Sequence, residues 1–147
     1  MLNKARFLFL AILFFAVLPC ALFAQQSAFY GTWVGKLIDD DFDNGYYESI
    51  IYTVTISSSS FSLRGDWYEE EKLIDTENET LRIRRWSAIT NTDRETRTDF
   101  PNGFSINCFF DGEEVDLELF ISGDGRRLII NELTDDNDRM IVFRKRR

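Results

Sequence analysis

The chain contains no histidine. A Ser-His-Asp triad, a Cys-His pair and every His-ligated metal site are therefore closed to it. Carboxylate-pair hydrolysis needs two Asp or Glu at a set separation in a cleft, whereas the acids here mostly fall in loops or on the outward side of alternating runs. No glycine-rich phosphate loop occurs. The run Asp39–Asp43 offers oxygens of the kind calcium takes. Gly45 is displaced from the helix-loop-helix calcium pattern, however, and Ile50 or Ile51 sits where the bidentate Glu belongs. A solvated, self-repelling loop is the expectation there, and Asp135-Asp136-Asn137-Asp138 reads as the turn between the last two strands. The chain is expected to be no enzyme, with no catalytic residues, no metal and no cofactor.

What remains for chemistry is aromatic surface. Aromatic residues make up 15% of the chain, led by 14 phenylalanines. An eight-stranded barrel either fills its interior with side chains or leaves room for one small ligand, and large rings serve both ends. The inward set Tyr52, Trp67, Phe104 and Phe110 is the candidate lining for a small, largely apolar molecule; a dry, filled core is the alternative. Trp86 falls on either face according to whether a bulge interrupts Leu81–Trp86. Cys108 shares a face with Phe104, Ile106 and Phe110 and reads as an apolar filler.

These side chains need strands to hold them, and the chain alternates with period two in segment after segment. Ile50, Tyr52, Val54 and Ile56 oppose Ser49, Thr53 and Thr55, while Phe61, Leu63, Gly65 and Trp67 oppose Ser62, Arg64 and Asp66. Val115, Leu117, Leu119 and Ile121 oppose Glu114, Asp116 and Glu118, and Leu128 and Ile130 oppose Arg127 and Asn131. Asp111-Gly112 is a short-hairpin signal, because a primed turn needs positive φ and Gly supplies it freely. Ser122-Gly123-Asp124-Gly125, Asn44-Gly45 and Asn102-Gly103 mark further turns, and Ser57–Ser60 is short and polar. The spacing predicts strands near 29–38, 47–57, 60–69, 79–90, 99–110, 114–121, 126–133 and 138–145. The fold class expected is all-β: an eight-stranded antiparallel up-and-down meander, closed so that no edge is exposed.

The N-terminus reads as a secretory leader. Lys4 and Arg6 form a positive n-region, Phe7–Val17 an apolar h-region, and Ala21-Leu22-Phe23-Ala24 ends in a small residue suited to cleavage. Residues 1–24 are expected to be a signal peptide and 25–147 a single domain, exported to the periplasm or outside the cell. A retained anchor over residues 7–24 and lipidation at Cys20 are the alternatives. With the leader removed, Cys108 is alone and no internal disulfide staples the fold. Loss of Lys4 and Arg6 takes the formal charge of −8 to about −10, which disfavours nucleic acid as a partner. Arg144-Lys145-Arg146-Arg147 reads as a solvated terminus, with an anionic headgroup or phosphate as the alternative contact. No integral membrane span is expected in the mature chain, and oligomeric state is left open.

Phe29-Tyr30-Gly31-Thr32-Trp33 resembles the Gly-x-Trp signature of the calycin superfamily, which includes the lipocalins and fatty-acid-binding proteins. With the eight-segment meander and the closing strand Met140-Ile141-Val142-Phe143-Arg144, the whole mature chain is similar to small bacterial lipocalin-like domains. The resemblance implies that Trp33 plugs the barrel floor under a basic residue of the last strand, Arg144 by position. It also implies a small hydrophobic molecule or lipid as ligand. The helical lid and Arg-x-Tyr clamp of the intracellular fatty-acid binders have no counterpart, so fatty acid in particular is not implied. A ligand-free structural or protein-interaction module of the cell envelope is the alternative function.

Overall fold

A computed structural model describes residues 25–41, 46–134 and 140–147. The leader proposed over residues 1–24 lies outside them, as do residues 42–45 and the turn proposed at 135–138. Every period-two run forms a strand: β1 (Gly31–Asp41), β2 (Tyr46–Ile56), β3 (Ser60–Glu69), β4 (Lys72–Thr90), β5 (Asn102–Phe110), β6 (Glu113–Ile121), β7 (Arg127–Thr134) and β8 (Met140–Lys145). Each pairs antiparallel with the next, and β8 returns to β1, which closes the barrel. The fold is the all-β, eight-stranded up-and-down barrel that alternation and short turns imply.

Inward residues from all eight strands meet in one core. Trp33, Val54, Ile106, Cys108, Leu119, Leu128, Ile130 and Phe143 are completely shielded from solvent, with Phe61, Leu81 and Ile83 packed among them. This layer fills the part of the barrel nearest Trp33. The opposite end is looser: Tyr52, Leu63, Val115 and Leu133 are only half-buried against the core. The β6–β7 ladder stops short of that end, running only over Leu119–Ile121 against Leu128–Ile130. Beyond it the Glu118 N–H donates to the Glu132 carboxylate at 3.0 Å instead of to a strand carbonyl.

Three sequence expectations are corrected. β4 begins at Lys72 and not near 79, because Glu70 and Glu71 make a tight turn at φ 46° and 67° with no glycine or asparagine to signal it. β1 runs on to Asp41, so the acidic run Asp39–Asp43 is strand over its first three residues and no loop there. Asn102-Gly103 opens β5 and makes no turn. The reason is close approach: a Cβ on Gly103 would strike the Leu119 carbonyl and the Phe120 ring. Ile129 is buried although it lies on the outer face, because the connection 91–101 lays Phe100 over Phe120 and Ile129 outside the barrel. Asn91 pins that connection, its Nδ2 donating to the Phe100 carbonyl at 3.0 Å and to Thr96 Oγ1 at 2.9 Å.

Candidate functional site

The floor is built by a short N-terminal turn. Bonds from the N–H groups of Ala28, Phe29 and Tyr30 to the carbonyls three residues back wind 25–30 tightly beneath β1. They carry Phe29, 2% exposed, under the barrel. Trp33 Nε1 donates to the Phe29 carbonyl at 2.8 Å, satisfying the only polar atom of a fully buried indole. The cation above the Trp33 ring is Lys145, with Nζ 5.0 Å from the ring centroid and donating to the Ala28 carbonyl at 2.9 Å. Arg144 does not take that role. In the β1–β8 register Trp33 faces Lys145 and Val34 faces Arg144, and directly opposed residues share a face, so Arg144 points outward.

The four residues expected to line one cavity do not come together. Tyr52 and Trp67 do, edge to face at 6.3 Å, in the half-buried end of the barrel. Gly65 makes this possible: it stands opposite Tyr52, and the Trp67 ring folds over it so closely that a Cβ would lie 2.6 Å from the ring carbons. Phe104 instead joins the floor, with Phe29 at 5.5 Å and Trp86 at 5.6 Å. Phe110 is 40% exposed. It pairs with Glu113 at the β5–β6 tip, one residue past Phe109, where the β4–β5 ladder ends, so no β4 residue lies across from it.

Sequence reasoning left Trp86 open and missed its consequence. A bulge between Ile83 and Arg85 shifts the phase of β4 and sets Trp86 opposite Ile106 and Ala88 opposite Phe104, on the inner face. The Trp86 ring then meets Phe29, Tyr30 and Phe104, and its Nε1 donates to the Ser58 carbonyl at 3.0 Å. The arginine pair Arg84-Arg85 breaking the alternation was the signal.

Beside this floor cluster lies a cavity of about 370 Å³ whose walls include Phe29, Phe104, Ala88, Ile121, Thr90 and Ser122. Apolar side chains dominate, with hydroxyls and the Gln25 and Asn102 amides at its margin. The lining fits a compact, largely apolar molecule carrying one or two hydrogen-bonding groups. Of the expected set, Phe104 lines it.

Cys108 sits in the filled core. Burial, aided by Asp116 nearby, pushes its thiol up to about 11, so it is neutral at physiological pH and inert as a nucleophile. Among the described residues no three His, Cys, Asp or Glu are grouped to hold a metal ion, and no helix is long and apolar enough to cross a membrane. The fold and cavity define a class, a closed antiparallel eight-stranded barrel with an aromatic floor. No protein family, curated protein or solved structure matches the chain.

Proposed function

We propose that this protein is an exported, lipocalin-like barrel that binds a small, largely apolar molecule and performs no catalysis. The observation that carries the reading is the cavity of about 370 Å³ bounded by Phe29 and Phe104, a size suited to a small ligand. The floor architecture supports the calycin likeness: a Gly-x-Trp strand whose indole is fully buried and capped by a cation from the last strand. The ligand binds beside the floor, not at the open end where Tyr52 and Trp67 stand.

A ligand-free structural or interaction module is the competing reading, and the densely filled section around Ile106, Leu119 and Phe143 favours it. An apolar fluorescent probe distinguishes the two. Saturable binding to the folded protein, with a change in tryptophan emission through Trp86 and weakening in Phe104→Glu, supports the cavity, because a carboxylate placed there loses solvation or takes up a proton. A folded protein that binds no probe sinks the ligand reading. For export, N-terminal sequencing of the secreted protein is expected to begin at Gln25; an acylated Cys20 would establish a lipid anchor in its place.

A further inference from the structure

Among the described residues, closure of the barrel leaves a long stretch of β4 without a second neighbour. Ser60–Glu69 of β3 pairs with residues 72–82 on one side, but β5 pairs only from Arg82 onward. Among the described residues, the stretch 72–81 therefore has a free edge. The Ile83 N–H donates to the Ser59 carbonyl, on the β3 side. Antiparallel pairs alternate between bonded and non-bonded, so Leu81, Glu79 and Glu77 also turn their backbone groups to β3, whereas Thr80, Asn78 and Thr76 turn theirs to the free side. The Thr76 N–H fits this: the adjacent Asp75 carboxylate accepts it at 2.8 Å.

We infer that this edge is a docking site for an extended peptide segment of a partner protein, added as a strand and carrying lysine or arginine at alternate positions. The charge of the edge selects the occupant. Asp75, Glu77 and Glu79 stand opposite Trp67, Gly65 and Leu63 and so share one face of the sheet, and all three are exposed. Basic residues at every second position of an added strand would lie beside them, while the intervening positions meet Thr76, Asn78 and Thr80. Opposite charges paired across strands stabilise, and like charges directly opposed repel.

That repulsion excludes a second copy of this chain. In a two-fold antiparallel pairing of the edge with itself, Glu77 meets Glu77 or Asp75 meets Glu77. Acidic residues on an edge thus guard against self-association, and the same residues admit a basic strand. Arg82 and Arg84, which line the hollow beside Phe109 where the edge begins, would repel a basic residue and so bound the site at that end. At the far end Leu73 and Ile74 are 47% and 53% exposed, available to an apolar side chain. The inference is independent of the ligand reading, since residues 72–81 contribute nothing to the floor cavity.

The test uses a peptide of about nine residues, long enough to follow the edge at strand spacing, alternating lysine with threonine and valine. Its partner probe has the same sequence N-methylated at alternate residues, which keeps the charge and removes the strand-forming donors. Binding is read by fluorescence anisotropy, and hydrogen exchange is followed at the Asn78 and Thr80 amides. The unmodified peptide is expected to bind and slow exchange at both amides, with the N-methylated form weaker by about tenfold or more. Charge reversal in Glu77→Lys/Glu79→Lys should weaken it comparably. Asn78→Pro should abolish the protection while leaving the β3 ladder bonded, and the N-methylated peptide serves if that variant does not fold. Equal binding of the two peptides means bare charge attraction and overturns the proposal. Unslowed exchange at Asn78 and Thr80 overturns it too, as does protection that appears with rising protein concentration alone, which would mark self-pairing.

Discussion

At the scale of single residues, the floor separates two neighbouring cations. Trp33→Ala removes a fully buried indole and its bond to the Phe29 carbonyl, and should cost about 3–5 kcal/mol in urea unfolding. Lys145→Ala gives up an exposed cation–π contact and a hydrogen bond to Ala28, a loss of about 1 kcal/mol. Arg144→Ala, on the outward face, should stay within about 0.5 kcal/mol. If Arg144→Ala costs more than Lys145→Ala, the β1–β8 register is wrong by one residue. Cys108 gives a pH test. Its thiol is raised by burial to about 11 from an ordinary 9.0, so the folded state disfavours the thiolate. The stability this group contributes is complete below pH about 9 and falls as pH rises toward 11. A thiol reagent at pH 8 should label Cys108 only at the rate of unfolding; rapid labelling of folded protein would show an accessible thiolate.

Turns and close approaches decide matters at the scale of elements. Glu70 and Glu71 both hold positive φ at the β3–β4 tip, where a side chain costs roughly 1–2 kcal/mol that glycine avoids. Because glycine also loses more backbone freedom on folding, Glu71→Gly should stabilise the hairpin by a net of about 0.5–1 kcal/mol, read as a raised urea midpoint. An unchanged or lower midpoint would mean that the tip relaxes to another turn. Gly103→Ala acts in the other direction, since its Cβ would strike the Leu119 carbonyl and the Phe120 ring. Overpacking of this kind costs about 1–3 kcal/mol, and the loss should appear without any change at Trp33 in tryptophan emission. The outer cluster of Phe100, Phe120 and Ile129 shows why β5 needs this glycine: the barrel wall there is covered on both faces.

For the whole molecule, closure removes most edges and fills the section above Trp33; the cavity beside the floor and, among the described residues, the unpaired stretch of β4 are what it leaves open. Asp66 ties that stretch to the rest of the barrel. The Thr76 hydroxyl donates to its carboxylate at 2.7 Å and Arg64 bonds it at 3.0 Å; the Thr76 bond chiefly holds the carboxyl below the usual carboxylate range, against the opposing effect of burial and with Arg64 adding to the lowering. A lowered folded value means stability present above the unfolded value and lost as pH falls through the folded one. Thr76→Val should raise the Asp66 midpoint in an NMR titration and lessen that acid dependence.

Much of this was legible in the chain alone. Period-two alternation in runs such as Ile50–Ile56 and Phe61–Trp67 determined eight strands and their inward faces, and Asp111-Gly112 determined a hairpin, because side-chain periodicity and turn chemistry are local properties. The buried floor tryptophan was legible through the resemblance of Gly31-Thr32-Trp33 to the calycin signature, not through periodicity. Which cation caps it was not, since Lys145 and Arg144 differ only by the β1–β8 register, and a slip of one residue exchanges the faces. The bulge that turns Trp86 inward, the end of the β4–β5 ladder at Phe109 that leaves Phe110 exposed, and the separation of Phe104 from Tyr52 and Trp67 were likewise decided by tertiary structure. Each depends on how strands distant in sequence align and where their pairing stops, and that alignment follows from packing across the closed barrel and not from any run of neighbouring residues.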